Sequence, residues 1–119
     1  MLTETKARKF AKEWIEAWNA HDLDAILDHY AAGVSLTSPV AARLLNDPAG
    51  KVVGIGALRE YFKKGLDVYP ELSFELLDVL WGVSSIVLYY RNQVGTKSGE
   101  FMELDSDGKV VRVVANYNG

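Results

Sequence analysis

The sequence predicts an α+β domain in which a curved antiparallel sheet wraps three N-terminal helices to form a cone. Two observations carry this. Apolar residues in the first half recur at helical spacing, with Phe10, Ala11, Trp14, Ile15 and Trp18 forming one stripe. After Pro70 the chain becomes a series of β-branched and aromatic runs, and Asp107-Gly108 between two of them is a strong hairpin signal. Helices first and a strand meander second argue for α+β rather than alternating α/β.

The spacing predicts a first helix over 4–20, capped by Thr3, with Glu4 where the helix dipole favours an anion. Asp22 caps a short second helix over 22–31 whose inward side chains are Leu23, Ile26, Leu27 and Tyr30. A strand follows over 34–38 until Pro39 breaks it. Residues 39–53 are the least regular. Val40–Leu45 allows one helical turn, Asn46-Asp47-Pro48-Ala49-Gly50 is turn chemistry, and the stretch reads as a mobile rim. A third helix is predicted over 55–67, followed by strands over 72–80, 84–93, 97–104 and 109–117. On the last strand, Val111, Val113, Ala115 and Tyr117 share one face by parity, and the opposite face is also half apolar. A second subunit covering the outer sheet face would explain this, so a homodimer is expected.

At 119 residues and 49% apolar content, one domain over 1–119 is expected. Such a chain buries roughly two-thirds of its unfolded surface and needs no covalent staple; it has no cysteine. The 13 basic and 16 acidic residues are interspersed, with a net charge of −3, which argues against a nucleic-acid partner. No apolar run reaches membrane-spanning length and Met1–Lys6 carries no apolar signal core, so the expectation is a cytoplasmic protein with no membrane partner.

Four stretches together resemble the nuclear transport factor 2-like superfamily and its SnoaL-like domains. They are Trp14–Ile26 (WIEAWNAHDLDAI), Tyr30–Val34 with Ser38-Pro39, Gly56–Phe62 (GALREYF), and Asp107–Val111 (DGKVV). The resemblance covers nearly the whole chain and implies a cystatin-like, nuclear transport factor 2-like cone around a pocket. It specifies fold better than function, because this fold hosts many activities. Similarity to ketosteroid isomerases places Ser38 where those enzymes carry a base, Trp14 at their first-helix tyrosine and Glu100 near their late-strand acid. A serine is no base at neutral pH without a partner, so that route is not expected. Limonene-epoxide hydrolases need an arginine between two aspartates. Arg91-Asn92-Gln93 supplies only the arginine, and 110–119 contains no carboxylate.

Among the candidate site residues, Glu100 shares parity with Met102 and Leu104. It therefore points into the cone, where burial would raise its pKa for acid/base work, or else it is a solvated strand-end glutamate beside Gly99. Arg91 reads as a partner for Glu100 or an anionic ligand, or as half of a surface ion pair. Trp14, Trp18, Tyr30, Tyr61, Phe62 and Tyr89 read as cavity lining or as plain core. Ser38 and the rim residue Asn116 complete the ligand-binding set. His21 and His29 have no metal-ligand company, and Glu103, Asp105 and Asp107 lack the oxygen ligands of a calcium loop; no metal and no cofactor are expected. The function expected is binding of a small, largely apolar molecule, with isomerase or polyketide-cyclase-type proton transfer if catalytic. Glu100 would then be the acid/base, with Trp14 and Tyr30 or Tyr61 as hydrogen-bond donors. The alternative is a non-catalytic ligand-binding or protein-interaction module.

Overall fold

The first helix, α1 (Glu4–Asn19), buries Ala7, Ala11, Trp14, Ala17 and Trp18. This stripe keeps Ala11, Trp14 and Trp18 of the one expected from sequence and adds Ala7 and Ala17, while Phe10 and Ile15 are only half-buried. The alanines at the N-terminal end let the helix backbone approach the sheet closely, and the indoles fill the wider space at the other end. Thr3 caps α1 through the Lys6 amide, and Asp22 caps α2 (Leu23–Leu27) through the Ala25 amide. The computed structural model describes all of residues 1–119.

The second helix is shorter than expected and β1 (Tyr30–Thr37) is longer, because Tyr30 already belongs to the sheet opposite Val110. The irregular stretch contains two elements: α3 (Pro39–Leu44), a fourth helix, and β2 (Lys51–Val53), which pairs antiparallel with β1. Gly50 closes this excursion. Its φ is +59° and an added Cβ would lie 2.5 Å from the Ser38 carbonyl oxygen, so only glycine fits. Backbone bonds from Ser38 N to Gly50 O and from Gly50 N to Asp47 O tie the segment down. The rim is built structure rather than a free loop.

Helix α4 (Ile55–Val68) buries Leu58, Tyr61 and Phe62. Then β3 (Glu75–Trp81), β4 (Ser85–Arg91), β5 (Lys97–Leu104) and β6 (Val110–Tyr117) form the expected antiparallel meander. The six-stranded sheet has the order β2-β1-β6-β5-β4-β3, with β1 parallel to β6. Irregularities interrupt β3, the β5–β6 ladder and the β1–β6 ladder. Such bulges sharpen twist and bend, and they curl this unclosed sheet around α1. The bulge beside Leu104 also corrects the parity on β6: Val110 joins Val113 and Ala115 in the interior. No helix is long and apolar enough to cross a membrane.

Side-chain size along the inward rows determines where the cone is solid. Ile86 and Leu88 on β4, Met102 and Leu104 on β5, and Val110 and Val113 on β6 pack against Ile26, Val34 and Leu58. Farther along the same strands the inward residues become small or polar: Ser98 and Glu100 on β5 and Ala115 on β6, with Ser38 just after β1. Volume is missing there, and the interior opens into a cavity.

Candidate functional site

The cavity has a volume of about 510 Å³ and a mostly apolar wall. Trp14, Trp18, Phe62, Phe74 and Tyr90 form its aromatic side, while Glu100, Ser98, Ser38, Tyr61 and Tyr117 supply polar atoms. Phe74 is held in place by Asn19, whose amide donates to the Phe74 carbonyl at 2.9 Å and accepts from its N–H at 2.7 Å. His21 bonds the Leu72 carbonyl at 2.8 Å through Nε2 and anchors the same segment. Asn19 ends α1 and His21 follows in the turn to α2, so this junction sets the position of the Phe74 wall. Phe74 stacks on Trp14 with ring centroids 5.8 Å apart and leans on Tyr90 at 4.5 Å.

Glu100 lies inside, 6% exposed, and its Oε1 accepts a 2.7 Å hydrogen bond from the Tyr90 hydroxyl. Removal from water disfavours the carboxylate and pushes its pKa up to about 7 from 4.5, against the opposing pull of the Tyr90 bond. The side chain is therefore poised to give or take a proton near neutral pH. Burial first, and then the Glu100 charge, push the Tyr90 hydroxyl up as well. The same two causes act in that order on Tyr30 and Tyr117, so both stay protonated as donors. Burial pushes Tyr61 up to about 12, with the neighbouring Ser38 hydroxyl pulling the other way. Ser38 Oγ accepts from the Val40 amide as the cap of α3 and lies 3.4 Å from the Tyr117 hydroxyl.

Trp14, Trp18, Ser38, Tyr61, Phe62 and Glu100 all line the cavity. The structure places the other candidates elsewhere. Tyr30 stands behind the wall, its hydroxyl accepting the Trp14 indole N–H at 3.0 Å. That bond also removes Trp14 as a donor to any ligand. Tyr89 and Arg91 follow the outward parity of β4, and Arg91 pairs with Glu75 rather than Glu100. Asn116 is exposed and donates to the Gly99 carbonyl at 3.2 Å. Trp18 Nε1 is buried without a hydrogen-bond partner. Sequence reasoning omitted Tyr90, Ser98, Phe74, Arg43 and Tyr69 from the site. The parity of Ile86, Leu88 and Tyr90 was a usable signal for the first of these; Arg43 and Tyr69 arrive through α3 and the end of α4, which have no such pattern.

The fold and cavity together define a cone-shaped α+β domain of the nuclear transport factor 2-like kind, open at one end. The chain belongs to the SnoaL-like domain family, whose pattern matches residues 11–114. It is similar to a SnoaL-like protein of unknown function from Burkholderia thailandensis. The identity is 39%, the match covers 98% of each chain and the TM-score is 0.93. A candidate ketosteroid isomerase from Kribbella flavida is 16% identical, over 95% of this chain and 78% of that one, with a TM-score of 0.75. The epoxide hydrolase/cyclase-like enzyme SalBIII, of pyran ring formation in the polyether salinomycin, is 20% identical over 99% and 95%, with a TM-score of 0.74. These last two likenesses show the fold alone. No curated protein matches the chain in sequence.

Proposed function

We propose that the cavity binds a small, largely apolar carbonyl compound and that Glu100 moves a proton at the carbon beside the carbonyl. The observation that carries this reading is a single side-chain carboxyl, Glu100, buried in a mostly apolar cavity, where removal from water disfavours its charged form. As the carboxylate, Glu100 takes the α-proton and the C–H electron pair passes to the carbonyl oxygen as an enolate. The Tyr61 and Tyr117 hydroxyls face the same space and serve as donors to that oxygen. Returning the proton to a different carbon gives an isomerisation. Attack of the enolate carbon on a second carbonyl, with Glu100 protonating the new alkoxide, gives an aldol cyclisation. Neither route needs a cofactor.

The test uses 2-tetralone in D₂O, following deuterium uptake at its α-carbon by NMR. Uptake well above the buffer rate in the presence of the protein is expected. Binding of the ketone, seen by quenching of Trp14 and Trp18, without faster exchange would make the cavity a binding module instead.

We further propose that a second copy of the chain covers the outer sheet face. Leu80, Val87, Phe101 and Val114 lie directly opposite one another on β3, β4, β5 and β6, making one outward apolar row across four strands. Leu80 in that row is 55% exposed. Sedimentation is expected to give a dimer for the wild type and a monomer for folded Phe101→Lys; a wild-type monomer at micromolar concentration contradicts this.

A further inference from the structure

The chain has five arginines, and four of them are ion-paired: Arg8 with Glu4, Arg59 with Asp24, Arg91 with Glu75, and Arg112 with Glu103. Arg43 alone has no carboxylate partner. It is exposed, yet it belongs to the cavity lining, which places it at the mouth. Its Nη2 donates to the Tyr69 hydroxyl at 2.6 Å, and Tyr69 lines the same opening. Among the side chains of the cavity wall there is one acid, Glu100, well inside, and one base, Arg43, at the rim. The other polar side chains of the lining, including Asn92, Gln93 and Thr96, are neutral.

Several features hold Arg43 there. Ser38 caps α3, the close approach of Gly50 to Ser38 fixes the helix start, and Lys64 Nζ donates to the Leu44 carbonyl at 2.8 Å. Arg43 therefore sits on an anchored helix end, not on a free loop. Its charge reaches inward, drawing the Tyr61 and Tyr117 hydroxyls down against the effect of burial. A guanidinium keeps most of its donors free when only one nitrogen is engaged by a neutral hydroxyl, and its planar fork matches a carboxylate.

We infer that the molecule taken up by this cavity is an oxo acid: a carboxylate held at the mouth by Arg43 beside Tyr69, an apolar body in the throat, and a carbonyl presented to Glu100. This rests on the proposed proton-transfer reading for the inner end, and it names the substrate class through the outer end. The anionic head fixes the depth and direction of entry, so the carbon to be deprotonated stops at Glu100.

The experiment compares 4-phenylbutanoate with its neutral amide, 4-phenylbutanamide, by calorimetry and indole fluorescence in low-salt buffer. A pH of about 6 keeps Glu100 mostly protonated, so that it does not repel the acid. The acid is expected to bind about tenfold or more tightly than the amide, the range of a charge-assisted hydrogen bond. Arg43→Gln is expected to reduce acid binding to the level of the amide while leaving the amide unchanged, which also shows that the variant is folded. Added salt should shrink the preference in the wild type. Equal binding of acid and amide, or a preference that survives Arg43→Gln, overturns the anion inference and leaves the apolar cavity standing. Binding of neither compound overturns both.

Discussion

Glu100→Gln is expected to lower any proton-transfer activity by two to four orders of magnitude, the contribution typical of a positioned acid/base. Glutamine keeps the acceptor for the Tyr90 hydroxyl and nearly the same volume, so the cavity should survive. The variant should also be more stable than the wild type at high pH, and the sign follows from proton linkage. In the folded protein Glu100 ionises at about 7, above the ordinary 4.5 of an exposed glutamate. Its contribution to stability is therefore full below about pH 4.5 and is lost as pH rises through 7. Above that, a buried carboxylate costs on the order of 3 kcal/mol, which the amide does not. Urea unfolding at several pH values should give a wild type that weakens between pH 5 and 8 and a variant that does not. Tyr90→Phe removes the bond that favours the carboxylate and should move the midpoint of the pH–rate profile upward. A Glu100→Gln protein with unchanged turnover would remove this residue from the chemistry.

Trp14→Ala is expected to cause the largest loss of stability of any single substitution in the site, about 3–5 kcal/mol. The indole is 1% exposed, stacks on Phe74 and donates its N–H to the Tyr30 hydroxyl. Removing it enlarges an existing cavity rather than creating one that can collapse, and it leaves the buried Tyr30 hydroxyl without that partner. Against an ordinary total of about 5–15 kcal/mol, the midpoint of thermal unfolding should fall by more than about 10 °C. Trp14→Phe restores the stack without the N–H and should recover most of the loss. A midpoint within about 2 °C of the wild type for Trp14→Ala would mean that the indole is not a structural wall.

Much of the fold was legible because it rests on local patterns. The α1 stripe, the Asp22 cap and the Asp107-Gly108 hairpin each follow from spacing within a dozen residues. Two features depended on partners distant in sequence and were not legible. β2 is only three residues long and exists because β1 offers it an edge, and the bulge beside Leu104 shifts the parity of β6 without altering its alternation. The site divides in the same way. The inward position of Glu100 is legible because period-two alternation from Met102 and Leu104 is short-range, and its burial decides between the two readings left open by parity. Of the two readings open for Arg91, the structure has the surface ion pair, with Glu75: alternation identifies which residues share a face, not which face is inner, and Tyr90 and its row take the interior. Tyr30 and Trp14 were read as ligand donors, but buried polar tips satisfy each other first when they are within reach.

The central claim is that the curled sheet leaves a hollow in which Glu100 ionises near neutrality. A ¹³C NMR titration of the Glu100 side-chain carboxyl measures this directly, with Glu100→Gln identifying the resonance. We expect a midpoint of about 7. A midpoint of 4 to 5, as for a glutamate in water, would contradict the account and leave the cone as a scaffold without an acid/base inside it.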